Sequence, residues 1–392
     1  MENDISKNWW DEDVEDKEEM DTQIEEYDIT SSPNDFNINT IFDFITSGVV
    51  EIPGFQRNYV WDKKGASKLI ESIIIGLPIP QIFLYEKSKN RFLVIDGQQR
   101  LMSIYYFIKQ RFPRMDKRSI LRKIFVEHDG IPDEVLHNDD YFEKFNLKLP
   151  VRLPDQPNKF NGLNYSTLGE FKSAFDLRVI RNVIIKQNFP KDDDSAIYEI
   201  FNRLNSGGIN LTPQEIRTSL YHSKFYEMLY RINMDERWRR MIGLKEPDLH
   251  MKDIEFLLRG FAILINGEKY KPSMTKFLNS FSRSCKGRKT EEIEYLGVLF
   301  SSFLDNTTGL GADAFYSNKN RFSITRFEAV FAAICEQPFQ NKDFVRFNIF
   351  PDRLEKLKMD EEFITACQSE TASAINVATR RKRAKKILLN AE

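Results

Sequence analysis

Cysteine and histidine are scarce in this chain. Cys285, Cys335 and Cys367 stand far apart and are odd in number. That speaks against a disulfide framework or a cysteine-based zinc site and fits a reducing, cytoplasmic compartment. The four histidines, His128, His137, His222 and His250, show no metal-ligand spacing. No run of about eighteen apolar residues is present, so no membrane span is expected. The opening residues MENDISKNWWDEDVEDKEEM lack the basic start and apolar stretch of a secretory signal. Neither the GxxxxGK[ST] loop of a P-loop ATPase nor the GxSxG elbow of a serine hydrolase occurs.

What is present is a chain of 392 residues, 41% hydrophobic and 30% charged, enough to fold as a soluble globular protein. The length suits two domains better than one core. The net charge of −2 conceals an asymmetry: residues 1–28 hold thirteen Asp/Glu against two Lys, a local −11, which leaves +9 for the rest. A basic body with an acidic tail can bind a polyanion, with the tail competing for the same surface; a solvated tail that only aids solubility is the plainer reading. Trp9-Trp10 is an unusual pair in such a tail and suits docking on a partner or on the body itself.

The sequence divides into an acidic, disordered leader over 1–33, an α/β domain over 34–215 and an all-helical domain over 216–392. Ile38, Ile41, Phe42 and Ile45 recur at helical spacing. A second helix is expected over 61–75, with Asp62 favouring its start and Gly76 ending it. Strands are expected over 81–85 and 91–95, joined by the polar tetrad 87–90 as a hairpin. Asp96-Gly97 closes the second strand, and 101–109 is again helical. A buried strand is expected over 177–187, then helices over 195–205 and 213–230.

Three segments carry chemistry. In Val94-Ile95-Asp96-Gly97-Gln98-Gln99-Arg100-Leu101, a strand delivers a tight turn and a helix begins at once. Unpaired N–H groups and the positive dipole end make such a corner a ready anion site. Gly97 permits close backbone approach, Arg100 offers a planar fork for phosphate oxygens, and Gln98 and Gln99 can donate to phosphate or orient water. Asp96 can hold a metal-bound water, accept a proton from water, or merely cap the helix. In residues 52–61, Gln56 and Arg57 repeat the Gln-Arg pair beside aromatics expected to be core. In residues 201–217, Thr212, Pro213 and Glu215 read as a helix start with a capping box. Asn202, Arg203, Asn205, Gln214 and Arg217 remain as polar groups bunched about one turn, lining a ligand cleft or a domain junction.

FQRNYVW, GLPIPQIFLYE, DGQQRLMSI and FNRLNSGGINLTPQEIR, in that order, resemble the N-terminal domain of GmrSD-type modification-dependent restriction proteins over roughly residues 35–230. The resemblance implies an α+β chain: a ParB/sulfiredoxin-like α/β domain followed by the helical domain. It implies nucleotide binding and hydrolysis coupled to defence against phage DNA. Asp96, Gly97, Gln98, Gln99 and Arg100 fall on the family's nucleotide motif, Gln56 and Arg57 on its first motif, and Asn202, Arg203 and Asn205 on its third. On this reading Asp96, Gln99 and Arg100 are catalytic, with Asp96 beside Mg²⁺ or Mn²⁺, and the others bind a nucleoside triphosphate.

Many such proteins also carry a C-terminal HNH nuclease, which needs histidines. Here none lies beyond His250, so a separate nuclease or effector subunit is the expected partner. The run Arg380-Arg381-Lys382-Arg383 can contact nucleic acid or be a solvated final helix. A second basic stretch, Arg111, Arg114, Lys117, Arg118, Arg122 and Lys123, adds to the case for DNA. Two alternatives stay open: a ParB-like DNA-nicking enzyme, and a non-catalytic nucleotide-sensing module. Homo-oligomerisation also stays open.

Overall fold

The computed structural model describes all residues except 1–8, 12–27, 53–58, 119, 122–123, 125–130, 151–157, 190–199, 201–211, 249, 312, 318–319, 347 and 390–392. Gln56, Arg57, Asn202, Arg203, Asn205 and the helix expected over 195–205 therefore lie outside the described residues, except for Ile200. The chain forms two compact units. One comprises Glu26–Ser219; the other comprises Met1–Glu25 with Leu220–Glu392.

The first unit is built on a mixed five-stranded sheet in the order β1-β7-β3-β4-β2. Its strands are β1 (Asp28–Asn37), β2 (Val50–Glu51), β3 (Ile82–Ser88), β4 (Arg91–Asp96) and β7 (Val179–Phe189). A separate two-stranded ribbon pairs β5 (Arg111–Pro113) with β6 (Phe142–Lys144). The hairpin expected around 87–90 is present: β3 and β4 run antiparallel, with Asn90 in the left-handed region that a tight turn needs. Against this framework lie α1 (Ile38–Thr46), α2 (Lys63–Ile75), α3 (Gln98–Ile108), α4 (Asp133–His137) and α5 (Phe171–Asp176).

Local chemistry sets the helix ends. The Asn37 side chain accepts from Thr40 N at 2.8 Å and starts α1. The Asp62 side chain accepts from Gly65 N at 2.7 Å and starts α2, which Gly76 ends at φ 82°. Ile70, Ile73, Leu101, Ile104 and Phe107 are buried in one apolar cluster together with Ile82, Leu84 and Val94 from the sheet. Full burial of side chains of this size is worth about 1.5–3 kcal/mol each.

The leader boundary needs correction. Residues 28–33 are not a disordered tail but the start of β1, which pairs antiparallel with β7 from Asp28↔Phe189 to Asn37↔Val179. Pro33, which ends Ser31-Ser32-Pro33, has no N–H to give to a sheet ladder. At a sheet edge that N–H is dispensable, and β1 is an edge strand.

The second unit is helical. α6 (Pro213–Tyr221) spans the partition and leads into α7 (Lys224–Asn233), α8 (Glu236–Ile242), α9 (Lys252–Asn266), α10 (Met274–Cys285) and α11 (Thr290–Asn306). α12 (Ile324–Asn341), α13 (Pro351–Lys358), α14 (Glu361–Gln368) and α15 (Ala374–Leu389) follow. The single helix expected over 213–230 is thus two, broken at His222-Ser223. The expected start of α6 is present as a reciprocal capping pair: Thr212 N donates to Glu215 Oε2 at 2.7 Å and Glu215 N to Thr212 Oγ1 at 3.3 Å. Buried aromatics fill the core, with Phe261, Phe300, Phe327 and Phe331 in mutual ring contact. Among the described residues, no helix is long and apolar enough to cross a membrane.

Candidate functional site

The corner between β4 and α3 has the expected geometry. Gly97 lies between strand and helix at φ 99°, and no side chain caps the first turn. A Cβ at this position would sit 2.4 Å from Ile82 Cγ2 and 3.3 Å from the Arg100 guanidinium. Both the backbone angle and the space therefore require glycine.

Arg100 does not extend outward. Its Nη2 donates to Asp96 Oδ2 at 2.6 Å and its Nη1 to the Pro80 carbonyl at 2.8 Å. The guanidinium thus lies across the turn, joining the end of β4, the first turn of α3 and the Pro78-Ile-Pro80 segment before β3. Its side chain is 12% exposed against 40% for Asp96, so the carboxylate is the more accessible partner. Two of the five guanidinium N–H donors account for these bonds.

Gln99 brings a second segment to the same corner. Its Oε1 accepts from Val60 N at 3.0 Å and from Trp61 N at 3.4 Å. The Trp61 carbonyl in turn accepts from Arg118 Nη2 at 2.7 Å. Tyr59 completes the attachment: its hydroxyl pairs with Ser103 Oγ at 2.7 Å, one turn along α3. Burial pushes the Tyr59 phenol well above its ordinary range, partly offset by the Ser103 bond. Burial lowers the Arg118 pKa while its guanidinium stacks 5.6 Å from the Tyr59 ring. The 59–61 stretch, which continues directly from residues 53–58, is therefore anchored to α3. Gln98 sits half-buried at the first position of that helix.

Among the described residues, the corner offers a divalent cation a single carboxylate. It is that of Asp96, already engaged by Arg100. Among the described residues, no group of three His, Cys, Asp or Glu side chains could hold a metal ion.

Arg380 is a correction. The expected phosphate contact is unavailable because its side chain is 1% exposed. It donates to Glu328 Oε1 at 2.8 Å and to the carbonyls of Ala366 and Thr371 at 2.7 Å. Its neighbours are similarly engaged: Arg381 faces Glu336, and Arg383 pairs with Asp360. Lys382 is exposed. In the other basic stretch, Arg111 is buried against the Leu136 carbonyl, and Arg118 holds Trp61. Helical spacing alone had no means of separating buried arginines from exposed ones.

Sequence reading missed a cleft of about 450 Å³ at the start of α2, lined by Lys63, Lys64, Phe112, Met115, Asn146 and Lys148 among others. Lys63 is oriented by the Lys144 carbonyl at 2.7 Å and by Glu143 at 3.2 Å. Lys64 and Lys148 are exposed. The alternation of exposed Lys144, Asn146 and Lys148 with buried Phe145, Leu147 and Leu149 was the available signal.

Comparison with known proteins agrees with the motifs. Residues 38–222 match the family model described as the N-terminal domain of the GmrSD restriction endonuclease. An uncharacterized protein of Methanocaldococcus jannaschii is 24% identical, over 49% of this chain and 41% of its own length. The chain thus spans less than half of that relative. No solved structure matches.

Proposed function

We propose that this chain is the nucleotide-binding component of a prokaryotic restriction system directed against phage DNA, and that it hydrolyses a nucleoside triphosphate. The observation that carries this reading is the bond from Gln99 to the backbone of Val60 and Trp61, which joins two of the family motifs at one corner. Phosphate oxygens would lie on the uncapped first turn of α3 beside Gly97 and Gln98, where N–H groups and helix dipole favour negative charge. Arg100 then exchanges Asp96 for phosphate, since a dianionic ligand attracts the guanidinium more strongly than one half-exposed carboxylate. Released Asp96 accepts a hydrogen bond from the attacking water, with the Gln99 amide beside it. Gln56 and Arg57, with Asn202, Arg203 and Asn205, are proposed to complete the phosphate and nucleoside contacts. Mg²⁺ or Mn²⁺ arrives with the triphosphate rather than at a preformed protein site.

The fold of the first unit is proposed to be ParB/sulfiredoxin-like. DNA contact is assigned to the lysine-bearing cleft at Lys64 and Lys148, whose ammonium groups face solvent, rather than to the run beginning at Arg380. A separate nuclease or effector subunit would cut the DNA. The Asp96–Arg100 pair also favours a second reading, binding without turnover, because a carboxylate engaged by a guanidinium is a poor base.

A phosphate-release and nucleotide-binding assay across the four nucleoside triphosphates, with and without phage DNA, tests the proposal. Saturable binding and phosphate release by the parent chain are expected, with binding at least tenfold weaker and phosphate release lost in Arg100→Ala. Binding with zero turnover selects the sensing module. Absence of binding to any nucleotide overturns both.

A further inference from the structure

Among the described residues of the acidic leader, Trp9 to Asp11 lie against the helical unit. Trp10 forms a parallel bridge with Phe322. The bridge is made by two backbone bonds: Phe322 N donates to the Trp9 carbonyl, and Asp11 N donates to the Phe322 carbonyl, both at 3.0 Å. Residues 9–11 thus lie as an added extended segment along the residues that precede α12.

Side chains supply the selectivity. The Trp9 ring lies 5.3 Å from Phe256, edge to face, and 6.4 Å from Phe322; both phenylalanines are fully buried. The Trp9 indole N–H points to Asp248 Oδ2 at 3.4 Å. Trp10 packs 5.3 Å from Trp9, and the Lys252 ammonium lies 5.7 Å from its ring. Asp11 buries its Oδ1 without a hydrogen-bond partner. The Arg326 guanidinium donates through Nη1 to the Tyr316 carbonyl while its Nε is buried without a hydrogen-bond partner; burial lowers its pKa, and nearby acidic groups, Asp11 among them, offset part of that.

We infer that this groove on the helical unit, floored by Phe256 and Phe322 and flanked by Lys252 and Arg326, is a docking site for a short extended peptide with two adjacent aromatics followed by a carboxylate, and that residues 9–11 of the same chain are its displaceable resident occupant. The mode is strand addition: main-chain bonds hold the peptide, and the pockets read its side chains. The leader carries −11 over residues 1–28, and two cations lie beside its resident segment: Lys252, which also donates to Glu255 Oε1 at 2.7 Å, and Arg326, which also donates to the Tyr316 carbonyl. A tethered segment is present at roughly millimolar effective concentration, so a partner protein bearing the same aromatic–acidic run must outcompete it. The groove would then report the arrival of that partner. This inference rests on the helical unit alone and is independent of the nucleotide corner.

The test uses the full chain, its Trp9→Ala/Trp10→Ala variant and a fluorescein-labelled peptide of residues 5–15, read by anisotropy. The double variant is expected to bind the peptide saturably and at least tenfold more tightly than the parent, whose groove is filled. A peptide with alanine at both tryptophan positions is expected not to bind. Adding Lys252→Glu to the double variant is expected to weaken binding. Equal binding by parent and double variant, or no binding by either, overturns the inference. So does binding of the alanine peptide as strongly as the original, which would reduce the contact to charge. A double variant that loses its cooperative thermal transition also overturns it, because a displaceable segment cannot be required for the fold.

Discussion

Arg100 Nη2 stands 2.6 Å from Asp96 Oδ2, one helical turn away across Gly97, while Nη1 holds the Pro80 carbonyl. The residue expected to grip phosphate thus already binds an internal carboxylate. Arg100→Ala should lower unfolding free energy by about 1–2 kcal/mol, since it removes one charged pair and one carbonyl bond. It should also weaken nucleotide binding at least tenfold. Asp96→Asn should do the opposite to affinity, by releasing the guanidinium, while abolishing turnover. Titration calorimetry and urea melts on both variants check the two arms. Unchanged affinity in Arg100→Ala removes Arg100 from the phosphate site.

Gln99 acts on the backbone of another segment. Removing its Oε1 leaves the N–H groups of Val60 and Trp61 without that acceptor. Gln99→Ala should cost about 0.5–1.5 kcal/mol in a urea melt, because water can reach the exposed Val60 N–H. Gln99→Glu keeps the acceptor and should retain most of that stability. If Gln99→Ala matches the parent in stability, the segment is held by Tyr59 and Arg118 alone.

The buried ion triad of the helical unit gives a third prediction. Glu328 receives Arg259 Nε at 3.0 Å and Arg380 Nη2 at 2.8 Å, with all three side chains almost wholly inaccessible. Glu328→Gln preserves shape but removes the buried negative charge that both cations face, so a loss of about 3–5 kcal/mol is expected. Arg380→Met should lower stability without a change in DNA affinity. A DNA-binding defect in a folded Arg380→Met protein would restore this residue to a nucleic-acid role.

Acid sensitivity should report on Asp360. The Arg383 guanidinium holds its carboxyl below the ordinary value of 3.8. A depressed carboxylate contributes stability above its unfolded pKa and loses it as pH falls through the folded one. The chain should therefore weaken between about pH 5 and 2. Asp360→Asn keeps a side-chain oxygen for the Phe363 N–H that starts α14, but removes the charge. Its urea midpoint should vary less with pH over that window; an unchanged profile would show that the pair contributes nothing measurable.

Much of the local architecture was legible in the sequence because its causes are local. Asp62 with Gly65, Thr212 with Glu215 and the Gly76 stop each lie within a few residues of what they cap or end. The turn at Asp96-Gly97 was legible for the same reason, since φ 99° against Ile82 admits only glycine. Four ordered motifs likewise carried the resemblance, with which the family-model match over residues 38–222 agrees.

Tertiary structure decided the long-range choices. Nothing near Ser-Ser-Pro announces that β7 will offer it an edge, and nothing in the charge of Arg380 says that Glu328 lies opposite. Whether Arg100 meets Asp96 or solvent, and whether Trp9 meets a partner or Phe256, likewise depends on which surfaces folding brings within a few ångströms. Periodicity and capping are written in adjacent residues. The partner of a charge or of an unpaired strand edge is set only when distant parts of the chain pack together, because hydrogen bonds and ion pairs act at contact range.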